Sequence, residues 1–249
     1  MKTLKRNLIM LFLLSGGVFA FSQCTKQNVT DGVQNMDDTK SLNQGSDSQI
    51  SNGGNSGSAY LFNCISSLPV EALSISEISA LSTMREEELL AEDVYVLFYS
   101  IYNIPVFNNI SKAEIRHTEA INTLLNKYSL PDPAANHVAG VFTNPDLQAL
   151  YTNLVSQGKA SLVAALTVGA TIEDLDINDL HNHIAADVDN QDILFVFSNL
   201  EKGSRNHMRA FNRLLTTKGI SYTPQYISLE YFNQIISSKQ ETGPVVCPN

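Results

Sequence analysis

The chain reads as an all-α protein: a bundle of four long helices, with one long crossover that contains a short helix, followed by a C-terminal helical tail. Three observations predict this. From Ile75 onward apolar residues recur at helical spacing in four long segments. Pro, Gly and Asn separate those segments, and no alternating run long enough for a strand interrupts them. The connection after the second segment, from Leu130 to Ala160, is far longer than the others, as is needed when the second and third helices of a bundle run parallel.

The first long helix is expected to begin at Ser76 or Ser79 and to continue to about Tyr102. Leu81, Met84, Ala91, Tyr95 and Phe98 form its apolar stripe, and Glu88 falls inside that stripe. A carboxylate there is costly unless it is paired or bound to a cation. Glu86, Glu87, Glu92 and Asp93 read as solvated. Pro105 ends this helix, and the second is placed from about Asn108 to Tyr128. It carries Glu114 and His117, which are three residues apart and share one helical face, a two-ligand half-site for a metal.

In the crossover, Asn144 and Pro145 open a short helix through Gln157. The third long helix starts near Ala160, with Glu173 and Asp176 one turn apart, and small residues at Ala165, Gly169 and Ala170 let a neighbour approach. The fourth runs from about Asn190 to Lys218 with His207 in its apolar stripe, and a short helix near 229–236 packs across the bundle. His181 and His183 read as solvated, in a loop or at a helix end, and His137 has no visible partner. Arg205 and Arg209 are placed to pair with acidic residues such as Glu201. Tyr95 and Tyr99 read as core or interface residues.

Three stretches divide the chain: 1–23 as a signal peptide, 24–58 as a Ser/Asn/Gly-rich tether too polar to form a core, and 59–249 as the helical domain. The leader is expected either to be cleaved after Ala20 or to be replaced by lipid on Cys24, although Gln23 is a poor residue to precede a lipidated cysteine. The composition of the tether favours the lipoprotein. The expected location is therefore the periplasm or outer cell envelope, with membrane contact only through Cys24. Cys64 and Cys247 bracket the domain and could pair in an oxidising compartment or remain free thiols. A net charge of −9 without a basic patch argues against nucleic acid and leaves metal ions as the expected small partners.

Glu88 on the first helix, Glu114 and His117 on the second, Glu173 on the third and His207 on the fourth resemble the ferritin-like superfamily in its rubrerythrin-like form, where Glu88, Ala91 and Tyr95 reproduce a Glu-x-x-Ala-x-x-x-Tyr spacing. The segments Glu87–Tyr95, Gly140–Tyr151 and Gly203–His207 are similar to those of the uncharacterised DUF2202 family. The resemblance implies a ligand set of Glu88, Glu114, His117, Glu173 and His207, for a transition metal that is iron by preference or else manganese or zinc. It also implies oxidase or peroxide-scavenging chemistry at a di-iron or mononuclear centre. A homodimer is a further expected partnership. Ser204 stands where a bridging Glu is expected, and Asp176 is the candidate to replace it. The competing reading is a non-enzymatic envelope scaffold whose bundle holds no metal.

Overall fold

A computed structural model describes residues 56–243 and 245–248. The leader, Cys24 and nearly all of the tether lie outside the described residues. The elements are α1 (Ser56–Ser67), α2 (Ile75–Tyr102), α3 (Pro105–Lys127), α4 (Pro145–Gly158), α5 (Leu162–Ala186), α6 (Gln191–Thr217) and α7 (Leu229–Ser237). No strand occurs among the described residues, only an isolated bridge between Val138 and Val141. None of the described helices is long and apolar enough to cross a membrane.

Helix α2 starts earlier than expected because Ser74, not Ser76 or Ser79, caps it. The Ser74 hydroxyl accepts from Glu77 N at 3.1 Å, and the Glu77 carboxylate accepts from Ser74 N at 2.8 Å. This reciprocal capping box was present in the sequence as Ser-x-x-Glu. Glu77 Oε1 also accepts from Asp189 N and Asn190 N, at 3.3 and 3.1 Å, and so fixes the start of α2 to the turn before α6.

Only Asn103 and Ile104 separate α2 from α3. Asn103 closes α2 in the left-handed conformation, at φ 50°. Pro105 does not merely stop α2: it occupies the first turn of α3, where its missing N–H costs nothing, so α3 begins before Asn108. Ser161 caps α5, accepting from Ala164 N at 3.1 Å. That helix extends through His181 and His183, which lie near its C-terminal end.

The start of α2 meets the residues that follow α5, while Tyr95 further along α2 reaches Gly169 and Glu173 in the first half of α5. Helices α2 and α5 are therefore antiparallel. The tight α2–α3 turn makes those two antiparallel as well, so α3 and α5 run the same way, and residues 128–161 with α4 carry the chain back between them.

Two apolar clusters fill the bundle. One gathers Tyr95, Phe98, Phe107 and Phe211, with Tyr95 and Phe211 ring centroids 5.4 Å apart. Gly169 admits Phe211 to α5, since a Cβ there would lie 2.5 Å from the ring. The other gathers Leu81, Met84, Ile121, Leu124 and Phe197, and α1 closes it with Leu61 and Ile65. Helix α1 was not foreseen from the sequence. It is docked by Lys127, whose ammonium donates to Ile65 O and Leu68 O and pairs with Asp192 at 2.6 Å, and by a disulfide between Cys64 and Cys247.

Two residues expected to be solvated are buried. Glu87 faces the third long helix, and Asp93 anchors the crossover. Asp93 Oδ2 accepts from Gly140 N at 2.7 Å and lies 2.9 Å from His137 Nε2, which gives His137 the partner it lacked in sequence. Arg85 clamps the same segment through two bonds to Asp132.

Candidate metal centre

Between the two apolar clusters lies one polar layer. Glu88 comes from α2, Glu114 and His117 from α3, Glu173 and Asp176 from α5, and His207 from α6; all but His117 are almost fully buried. The helical period places each of them on an inward stripe at the level where the bundle axes pass.

Five of these six residues converge as two triplets that share Glu114. In the first, His117 Nδ1 lies 3.0 Å from Glu88 Oε2 and 2.7 Å from Glu114 Oε2. In the second, His207 Nδ1 lies 3.0 Å from Glu114 Oε1 and 3.4 Å from Glu173 Oε2. The two imidazoles stack at 5.8 Å with an interplanar angle of 27°. One carboxylate thus presents an oxygen to each triplet.

Asp176 lies in the same layer but belongs to neither triplet. Ser204 stays outside both as well, its hydroxyl donating back to Leu200 O at 3.1 Å on its own helix.

Hydrogen bonds do not account for this layer. Glu88 Oε1, Glu114 Oε1, Glu173 Oε2, Asp176 Oδ2 and both ring nitrogens of His207 are buried without a hydrogen-bond partner. The His207 contacts with Glu114 and Glu173 are thus close approaches without hydrogen-bond geometry. Each unpaired buried polar group costs about 1–3 kcal/mol, more when charged. Ligand atoms roughly 3 Å apart are what a cation held at about 2.0–2.2 Å from each would require.

Electrostatics within the layer are strongly perturbed. Burial raises the Glu88 carboxyl to about 8 against the opposing pull of His117. Burial also raises Glu173 and, with Glu88 and Glu173 nearby, lifts Asp176 well above the usual carboxylate range. Glu114 is the exception, because the two imidazoles overcome its burial and hold it below the ordinary value. Burial alone would lower His117, but Glu88 and Glu114 raise it to about 10, and Glu114 and Glu173 raise His207 likewise. Without a cation, the layer retains protons to limit its charge.

Sequence reasoning treated Tyr95 as core and missed its polar role. Its hydroxyl donates to Glu173 Oε1 at 2.5 Å and is also within 3.2 Å of Gly169 O, so it fixes one oxygen of Glu173 and leaves the other for the triplet. The Glu-x-x-Ala-x-x-x-Tyr spacing was the available signal. Gly203 was missed too: a Cβ there would lie 2.8 Å from His117 Cε1 and Nε2. Arg205 does pair with Glu201, at 3.0 Å, and more closely with Glu241. His181 is largely exposed beside Glu201, and His183 pairs with Asp187 at 2.8 Å, so neither joins the centre.

Fold and site together define an all-helical bundle protein with a buried carboxylate–imidazole cluster. Residues 77–239 match the family described as "Uncharacterized protein domain (DUF2202)", and the chain belongs to that family. It is similar to the uncharacterized protein MJ0754 of Methanocaldococcus jannaschii, 53% identical over 179 residues, which cover 72% of this chain and 96% of that protein. The crystal structure of hypothetical protein MJ0754 from Methanococcus jannaschii DSM 2661 superposes with a TM-score of 0.69 at 52% identity, covering 70% of this chain and 99% of that one.

Proposed function

We propose that this protein is an exported metal-binding protein of ferritin-like architecture. The centre holds two transition-metal ions: one between Glu88, Glu114 and His117, the other between Glu114, Glu173 and His207. The observation that carries this reading is the set of convergent, buried, unpartnered ligand atoms in two triplets around one shared carboxylate. The parallel course of α3 and α5, joined by the long crossover, supports the ferritin-like assignment.

Mixed carboxylate and imidazole donors suit iron first, then manganese or zinc. A bound redox metal supplies electron-transfer chemistry of the oxidase or peroxide-scavenging kind. The chain's own residues do the rest: Glu88 and Glu173 supply one terminal carboxylate each, Tyr95 orients Glu173, and the apolar clusters on either side exclude water. The disulfide between Cys64 and Cys247 fits an oxidising compartment, which supports the export reading, with Cys24 as the lipid attachment site.

A metal-free scaffold would have to sustain these buried unpartnered atoms with no compensating gain, which counts against it. Elemental mass spectrometry on purified protein grown with iron, manganese and zinc decides the matter. Two metals per chain are expected, and Glu114→Ala, His117→Ala and His207→Ala should each lower the content. A folded protein without metal would establish the scaffold.

A further inference from the structure

We infer that the groove between α3 and α6, beneath the C-terminal segment, admits a small uncharged molecule of two or three heavy atoms to the centre at His117. This rests on the metal-binding reading above and adds to it the size and polarity of the molecule that reaches the site.

His117 is the ligand with the most open side chain, 13% exposed, while Glu88, Glu114, Glu173 and His207 are at 6% or less. Its open edge forms part of the wall of a cavity of about 90 Å³. Ala113, Ala120, Val196 and Leu200 give the wall its apolar part, while Arg116, Asn199, Lys202, Asn206 and Glu241 add polar groups of both signs, so neither sign of charge is favoured and an uncharged molecule of a few atoms fits. On the opposite face, the cavity beside Asp176 and Glu87 measures about 10 Å³ and admits nothing of use. The larger cavity of about 230 Å³ beside His137 touches no ligand of the centre.

Gly203 makes room for this ring: a Cβ there would lie 2.8 Å from His117 Cε1 and Nε2, so only glycine lets α6 pass this close to the imidazole.

The cavity is covered on its outer side by residues 240–243 and Val245. Polar clamps hold that cover together with Val245, which packs against the second apolar cluster. Glu241 accepts from Arg205 at 2.8 and 2.7 Å and from Arg209 at 2.9 Å, its N–H donates to Asn206 Oδ1, and Cys247 anchors the far end to Cys64. Thr242, between these anchors, is exposed.

Two probes test this, one independent of metal. In crystals pressurised with xenon, a xenon site is expected in the cavity against His117 in the natural protein and none in Asn199→Trp, which fills the groove from its rim. In the protein loaded with ferrous iron, nitric oxide should bind about tenfold more slowly in Asn199→Trp. It should bind severalfold faster in Glu241→Gln, which loosens the cover. All three proteins should hold equal metal by elemental analysis and keep their helical circular dichroism; should Asn199→Trp not fold, xenon in the natural protein and the Glu241→Gln rate still decide. Full metal content with no xenon in the cavity, or with nitric oxide rates unmoved in the folded variants, overturns this inference alone. Absence of metal from all three overturns the metal-binding reading and this one with it.

Discussion

Tyr95 donates its hydroxyl to Glu173 Oε1 at 2.5 Å, across the α2–α5 interface and in the interior of the bundle. The bond leaves Glu173 Oε2 as the oxygen that faces His207. Replacing Tyr95 with Phe keeps the ring packing against Phe107 and Phe211 but strands a buried carboxylate oxygen. Loss of such a supporting partner is expected to weaken metal binding about 10–100-fold and to destabilise the metal-free protein by about 1–3 kcal/mol. A chelator competition titration measures the first and a urea melt the second. Affinity equal to that of the natural protein would mean that Tyr95 is packing alone.

Glu114 shares its two oxygens between the triplets, whereas Glu88 and Glu173 each serve one. The stoichiometries of the variants should therefore differ in kind. Glu114→Ala should empty both positions, while Glu88→Ala should retain the position at His207 and Glu173→Ala the position at His117, each leaving about half the metal. Metals per chain, counted on folded protein, read this directly. Equal losses in all three would contradict the shared carboxylate.

Acidity should act in opposite directions on the two forms of the protein. In the metal-free form the Glu88 carboxyl is raised to about 8 by burial, and His117 to about 10 by Glu88 and Glu114. For both groups the folded state binds more protons than the unfolded chain, so stability is greatest below their ordinary values and is lost as pH climbs through the raised ones. Metal needs the deprotonated ligands, so its binding releases protons and strengthens with pH. Thermal melts of loaded and metal-free protein should thus diverge steadily between pH 5 and pH 9. Calorimetry in buffers of different ionisation enthalpy should show at least one proton released per chain on loading. A constant gap between the melting points, or no proton release, would rule out this account of the layer.

The periodicity of the sequence disclosed the four long helices and most of the polar layer, while α1 gave no such signal and Glu173 entered through the family resemblance. Glu88 and His207 stood out as polar residues on apolar stripes, and Glu114 and His117 as a shared helical face. What spacing does not encode is which polar residues beside the stripe turn inward. Glu87 and Asp93 looked like solvated neighbours of Glu88, yet the crossover and α5 cover them. Asp174 is a comparable case: its carboxylate accepts from the backbone N–H groups of Tyr226 and Ile227 and from the Tyr222 hydroxyl, holding the segment before α7. Such partners are distant in sequence, so no local pattern announces them. Asp176 shares a face with Glu173 and lies in the layer, outside both triplets, a distinction that spacing along one helix does not carry.

Glu77 offers a test of the fold that is separate from the metal. Its carboxylate is held below its ordinary value because the backbone and hydroxyl of Ser74 and the N–H groups of Asn190 and Asp189 outweigh the effect of burial. A depressed carboxylate stabilises the fold above its unfolded value near 4.5, and that contribution is lost as pH falls through the lower folded value. Glu77→Gln keeps the shape but removes the charge that four donors address, so it should cost about 1–3 kcal/mol at pH 7. As the pH falls through that lowered value the natural carboxyl is itself neutralised, and the difference between the two proteins should shrink. Because these donors lie at the start of α2 and in the turn before α6, hydrogen exchange in the variant should quicken at both places. Exchange that quickens only near Ser74 would show that Glu77 serves its own helix and does not join the two ends of the chain's bundle.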